Sequence, residues 1–289
     1  MNSNPSKKTI AIVCSKDDPA SLNIKNQLLE FGFSKSDNET YDNEPVYYLE
    51  RENYSAKLYT ISKDAVFFDE VNDLKEEYVV FPSEHRSEKN VPSLTVHCTG
   101  LWSDDTTFGG KPKSLSIAWP AFLKESFLIL KQKAEANDLK DIMITPEVTH
   151  HGPFVKKPHA FIEIGSTEEQ WNNAGLAKII ASTIIETLDK IFSPDYNFNY
   201  KVAFGIGGTH YCNNFIKVFL SKEFALSHIC PKYANDYLNE ELILQAMISS
   251  EPKAELVILD WKGIQDRQRI KSLIESMGIP YLKTKNIKF

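Results

Sequence analysis

Five of the seven histidines in this 289-residue chain share one kind of place, at or just past the C-terminal end of a predicted strand. His85 follows EYVVFPS, His97 ends SLTV, His150 and His151 follow IMITPEVT, and His210 follows KVAFGIGGT. Open α/β sheets hold ligands outside the carboxyl ends of their strands, where a rigid sheet carries accessible loops, so these five are expected to converge. Neutral imidazole is a common zinc ligand and also the side chain that titrates nearest neutrality, so metal ligand and general base both follow from the residue type. The adjacent pair in EVTHHGP carries a constraint: successive side chains of a strand point to opposite faces. Gly152-Pro153 ends the strand there, and the expectation is that one of the two rings points into the site. Glu147, three residues before His150, is a candidate base or ligand. Glu163 lies inside FIEIG, where a carboxylate either belongs to the same site or faces solvent.

GIGGTHY, residues 205–211, is a second candidate. A dinucleotide fingerprint would need its third glycine at position 210, which is His, so that cofactor class is disfavoured. Gly205, Gly207 and Gly208 are instead expected to form a turn whose exposed N–H groups hold an oxyanion or the polar end of a substrate. A valine at 207 or 208 is then expected to obstruct the ligand while leaving the chain folded. There is no GxSxG elbow and no GxxxxGK[ST] loop, which argues against an α/β-hydrolase serine and a P-loop. From the residues alone the chain reads as a hydrolase-like α/β protein using histidines, with or without metal.

The elements that must position these residues begin with a βα unit: TIAIVCS as strand, Asp18 as N-cap, Pro19 at the first helical position and SLNIKNQLLEF as helix. Short strands follow at PVYYLE, KLYTIS, EYVVF and SLTVHC. Pro120 opens a helix, DIMIT and HAFIEIG are strands, and Ser166 with Glu169 predicts a capping box for one long helix over 167–192. KVAFGI, ELVILDW and IPYLKT complete the strands. This alternation predicts a mixed, largely parallel sheet with helices on both faces. The polar stretch 34–44 is the expected mobile loop. Residues 1–8 are expected to be a disordered extension and 9–289 one compact domain, with two interleaved subdomains as the alternative.

Composition is that of an ordinary globular protein, 42% hydrophobic and 25% charged. An apolar run of only five residues, Ile10 to Cys14, is too short for a signal peptide core, and no 18-residue apolar stretch exists, so a cytoplasmic protein with no membrane span is expected. Four widely spaced cysteines without CxxC read as buried thiols. Residues 253–289 hold eight basic against four acidic residues in a chain of net charge −6, which predicts a basic C-terminal face.

Six motifs in order, SEHRSEKNVPSLTVHCTGLW, EVTHHGP, FIEIGSTEEQW, GIGGTHY, SHICPKYA and LDWKG, resemble the archaeal and plant type of D-aminoacyl-tRNA deacylase, over about Thr9 to the C-terminus. The resemblance implies hydrolysis of the ester joining a D-amino acid to the 3′-terminal ribose of tRNA, a phosphorylase/hydrolase-like α/β fold, and zinc. His85, His97, His210 and Glu163 are then the expected ligands, with His150, His151 and Glu147 catalytic. Lys262, Arg267, Arg269 and Lys271 are expected to meet acceptor-stem phosphates, and Trp102 or Tyr211 to stack on the terminal adenosine. A monomer is expected. The rival readings are a zinc amidohydrolase or aminopeptidase-like enzyme on a small substrate, and a noncatalytic RNA-binding module whose His97, His150 and His210 lie far apart.

Overall fold

The computed structural model describes residues 7–289. Most of the expected N-terminal extension, residues 1–6, lies outside the described residues, and Lys8 already begins the first strand. In chain order the elements are β1 (Lys8–Ser15), α1 (Pro19–Leu29), β2 (Ser34–Tyr41), β3 (Glu44–Glu50), β4 (Tyr54–Ile61), β5 (Tyr78–Arg86), β6 (Ser93–His97), α2 (Pro120–Ala136), β7 (Met143–Pro146) and β8 (His159–Ser166). There follow α3 (Glu168–Trp171), α4 (Ala174–Ile191), β9 (Lys201–Gly208), α5 (Ile216–Leu220), β10 (Phe224–Pro231), α6 (Glu240–Ile248), β11 (Leu256–Leu259), α7 (Arg267–Ser276) and β12 (Tyr281–Lys283). The first unit forms as its sequence dictates: the Asp18 carboxylate accepts the Ser21 N–H at 2.7 Å and Pro19 opens α1.

The strands make two sheets. Eight run in the order β2-β3-β4-β1-β5-β8-β6-β7, and four in the order β10-β9-β11-β12. The smaller sheet is wholly parallel, whereas in the larger the β2–β3, β3–β4 and β6–β8 pairs are antiparallel. The architecture is thus α/β with mixed, mostly parallel sheets. Helices cover both faces of the smaller sheet, with α6 and α7 packed against Phe204, Ile206, Val257 and Leu259. On the larger sheet α1, α2 and α4 pack on one face, in a core that also takes in Ala203, Leu226 and Ile258 of the smaller sheet. The opposite face is covered by 3₁₀ turns at Ala65–Phe67 and Asp69–Asp73 and by Val155. The candidate site lies on that helix-free face.

Three expectations about local structure are corrected. The stretch 34–44 forms β2 and the start of β3, joined through Asp42 and Asn43 at φ 53° and 61°. Two consecutive left-handed residues make the tight hairpin turn whose twist matches the strands. Ser166 caps nothing: its hydroxyl donates to the Val91 carbonyl. The long helix is instead broken into α3 and α4 at Asn172–Asn173, and the Asn173 side chain accepts the Gly175 and Leu176 N–H groups as the true N-cap. Strand β10, buried along its whole length, was absent from the expected elements.

One buried cation ties the two sheets' layers together. The Lys124 amine, on α2 and 1% exposed, donates to the carbonyls of Val218, Phe219, Ser221 and Phe224. These carbonyls lie in the last turn of α5, just past it and at the start of β10, where helix hydrogen bonding runs out. All four cysteines are free and buried, as expected.

Candidate active site and metal centre

Alternation along three neighbouring strands sends polar residues to the helix-free face. On β8 Ala160, Ile162 and Ile164 enter the helical core, so Phe161, Glu163 and Gly165 face the other way. Ser83 and Thr95 stand in register with Glu163 on either side, and His85 stands beside Gly165 and His97 beside Phe161. A Cβ at position 165 would lie 2.6 Å from Ser93 Oγ and 2.9 Å from the His85 ring, so only glycine leaves room for that imidazole. Because β6 runs antiparallel to β8, the cluster spreads over the sheet face around Glu163 instead of lining up along one strand-end edge.

The segment Glu147–Thr149 is the seam between the sheets. Its N–H groups donate in turn to Val96 of the larger sheet, to His210 just past β9, and to Ile229 on β10. This brings Glu147, His150 and His151 against His85 and His97 from one side and His210 from the other. All five strand-end histidines therefore converge: ring centroids lie 4.6 Å apart for His97–His150, 4.8 Å for His150–His210 and 5.2 Å for His85–His210. The noncatalytic alternative required His97, His150 and His210 to be far apart, and they are not. The other two histidines are structural. His159 accepts the Thr99 N–H, His228 bonds the Ser249 carbonyl, and burial pushes them down to about 3 and 4.

The expectation that only one of His150 and His151 faces the site is corrected. His151 adopts φ 39°, a left-handed conformation that turns its ring to the same side as its neighbour's. His97, His150 and His151 bring their ligand nitrogens within 4.8 Å of one another. Each anchors Nδ1 on a backbone carbonyl, that of Cys98, Val148 and Gly152 respectively. With Nδ1–H donating, Nε2 is left as a lone pair. His97 Nε2 then faces Glu163 Oε1 at 3.4 Å without the alignment of a hydrogen bond, and the carboxylate pushes His97 up against the lowering by burial. Such a contact is stable only with a proton or a metal cation between them. Burial, together with the neighbouring rings, holds His150 well below its ordinary value and His151 down to about 4, so both are neutral and able to ligate.

Glu163, 3% exposed, accepts the Ser83 hydroxyl at 2.8 Å and has His85 Nδ1 at 3.4 Å, which settles its side of the sheet. Glu147, 2% exposed, has His85 Nδ1 at 3.1 Å and His210 Nε2 at 3.2 Å, although neither contact has the alignment of a hydrogen bond. Burial raises both carboxyls, but the imidazoles outweigh it: His97 and His85 hold Glu163 well below the usual range, and His210 and His85 lower Glu147. Burial likewise lowers His85, yet Glu163 and Glu147 push it up to about 10, and Tyr211 meets its Nε2 at 3.0 Å. The side chains thus group as an imidazole triad, in which His150 and His151 are neutral while Glu163 pushes His97 up against the lowering by burial, and a Glu147–His85–His210 set, with Glu163 touching both. The expected split, bases at 147, 150 and 151 and ligands at 85, 97, 163 and 210, cuts across these groups.

His85, His150, His151, His210 and Glu163 line a cavity of about 640 Å³, with His97 and Glu147 buried behind them, a size suited to a small-molecule moiety. Gly205, Gly207 and Gly208 are corrected as ligand contacts. They lie inside β9, between β10 and β11, and a Cβ on them would meet the Phe215 ring, the Asp260 carbonyl and Cys212 Sγ. Trp102 does line the cavity, but its indole N–H donates to Thr149 O and its ring stacks on Phe204. Arg269 is corrected too: its guanidinium donates to the Leu238 and Asn235 carbonyls, so it braces the fold. Lys262 and Arg267 are exposed, and Lys271 is half-buried beside Glu275.

The family model for D-aminoacyl-tRNA deacylase matches residues 72–282. The chain belongs to that family. A D-aminoacyl-tRNA deacylase of Pyrococcus furiosus is 39% identical over 283 residues, which span 94% of this chain and 98% of its own. One of Methanosarcina barkeri is 35% identical over 289 residues, spanning 96% and 90%. The crystal structure of a conserved protein of unknown function superposes with a TM-score of 0.84 at 29% identity, covering 98% of this chain and 97% of that one. The deacylase is accordingly an ester hydrolase, and its matched region contains all five converging histidines and both buried carboxylates. Among the described residues no helix is long and apolar enough to cross a membrane.

Proposed function

We propose that this deacylase hydrolyses the D-aminoacyl ester at the histidine cluster, with zinc held by His97, His150 and His151. The observation that carries the metal is the unpartnered, buried His97 Nε2 pointing at Glu163 among two neutral imidazoles. A donor set of three imidazole nitrogens is typical of catalytic zinc, and binding the ion would displace the proton that Glu163 favours on His97. Bound zinc supplies Lewis-acid stabilisation of the charge that develops on the ester carbonyl oxygen.

The chain's own groups do the proton work. Glu147, ionised, buried behind the cavity lining and with both oxygens free of hydrogen bonds, draws the proton of the attacking water through His210 Nε2, which stands 3.2 Å from its Oε2. His210, its side chain 40% exposed toward the open side, then delivers that proton to the departing ribose oxygen. His85, its Nε2 held by the Tyr211 hydroxyl, positions both Glu147 and Glu163 through Nδ1. Aminoacyl esters are already labile, so no covalent nucleophile is required.

The substrate's α-ammonium has a matching partner in Glu84 on the cavity wall. Glu84 Oε1 meets Arg86, whereas Oε2 is buried without a partner. A site built around such a polar contact rejects a misplaced amine more strongly than a pocket of shape alone. Glu84→Gln is expected to raise KM for D-aminoacyl-tRNA about tenfold. An unchanged KM would remove Glu84 from the amine site.

Outside the cavity, Lys262, Arg267 and Lys271 are the residues left to meet acceptor-stem phosphates, now without Arg269. The test of the whole reading is deacylation of D-Tyr-tRNA against L-Tyr-tRNA, with and without chelator. D-Tyr-tRNA is hydrolysed and L-Tyr-tRNA spared, and chelator abolishes turnover until zinc is restored. Turnover indifferent to chelator would exclude the metal, and equal turnover of both esters would exclude the chiral function.

A further inference from the structure

Seven large hydrophobic side chains are exposed among the described residues, and three of them, Phe108, Tyr233 and Tyr237, line the same cavity. They are 69%, 63% and 50% exposed. Apolar rings held in water cost free energy unless something covers them, and here they stand around the opening to the cluster.

Their backbones are fixed although the rings are not covered. Tyr233 and Tyr237 sit on the 3₁₀ helix Lys232–Tyr237, four residues apart. Arg269 clamps that turn by donating to the carbonyls of Asn235 and Leu238, and the buried Asn235 amide donates to Gly263. Across the opening, the Phe108 carbonyl accepts the Gly152 N–H, one residue from His151. The rings are therefore presented on rigid supports, and a ligand laid on them pays little to order the protein.

We propose that Phe108, Tyr233 and Tyr237 form a stacking platform for the unpaired 3′-terminal nucleotides of tRNA. The proposal rests on the D-aminoacyl-tRNA reading of the site. Its physical basis is that the ester must reach the cavity floor through this opening, so the single-stranded nucleotides behind it lie at the opening. Every base has a π-face, and aromatic side chains bind single strands by stacking without reading sequence. Exposed Lys232, next to Tyr233, supplies a cation for the backbone between the bases. Trp102 and Tyr211 are excluded from this role because Phe204 and His85 already occupy them.

The test compares binding of uncharged tRNA with binding of the same tRNA lacking its last three nucleotides. Wild type is expected to bind the full-length molecule at least about tenfold more tightly, the loss expected for one stacked base. The triple variant Phe108→Ala, Tyr233→Ala, Tyr237→Ala, checked for folding by circular dichroism, is expected to bind both tRNAs alike. Tyr233→Phe and Tyr237→Phe keep the rings and should restore the preference. A triple variant with the wild-type preference, or a wild type with none, overturns the platform. Hydrolysis of D-Tyr-tRNA by wild type, assayed in parallel, tests the underlying activity separately, since it needs no preference between the two tRNAs.

Discussion

Replacing His151 with Ala lowers D-aminoacyl-tRNA hydrolysis by about a hundredfold or more, while the melting temperature changes little. His151 anchors Nδ1 on the Gly152 carbonyl and directs Nε2 at His97 and His150, so its removal takes one of three converging nitrogens and little packing. The contrast is His159→Ala. That ring accepts the Thr99 N–H and is wholly buried, so its loss strands a donor and costs about 1–3 kcal/mol of stability without touching the cluster. Steady-state kinetics and thermal melts on the two variants separate a site histidine from a structural one. A His151→Ala enzyme with wild-type kcat/KM would take the imidazole triad out of the chemistry.

The second large effect is on the fold. Gly207→Val is expected to destabilise the protein by about 3 kcal/mol or more, combining left-handed strain with overpacking. Gly207 has φ 109°, and a Cβ there would lie 2.7 Å from the Asp260 carbonyl and 3.1 Å from Ile264. The sequence suggested a ligand-obstructing change that spares folding. Within β9 the added methyls strike backbone first, so activity is lost because structure is lost. Urea denaturation gives the result directly, and a midpoint equal to wild type would restore the glycine to the ligand's path.

Much of the site could be read from local signals. Asp18 and Pro19 announce α1 through contacts within four residues, and each site histidine lies near a strand end that its own apolar run defines. Sequence does not decide the orientation of Glu163, because its side of the sheet depends on which strands flank β8, a nonlocal fact. The Ser83–Glu163–Thr95 row exists only once β5, β8 and β6 are in register. His210 and Tyr211 reach His85 across 125 and 126 residues of chain, a closure no periodicity announces. Strand β2 was hidden because both its faces are largely exposed and carry no alternation. Strand β10 was hidden for the opposite reason, since all eight residues are buried and Ser227, His228 and Cys230 blur its apolar run. The rim aromatics Phe108, Tyr233 and Tyr237 had only one signal, large rings within otherwise polar segments.

The seam at Glu147–Thr149 gives the enzyme a particular order of assembly. Its three N–H groups bond to both sheets, and the cluster draws His85, His97 and Glu163 from one and His210 from the edge of the other. A chain with both sheets formed but undocked would have all its secondary structure and no site. Long-range closures of this kind are paid for late in folding, after local helices and hairpins are in place. If the cluster is the active site, competence is expected to arrive only when the two sheets dock and to be lost when they part, leaving a half-assembled chain inert toward aminoacyl esters.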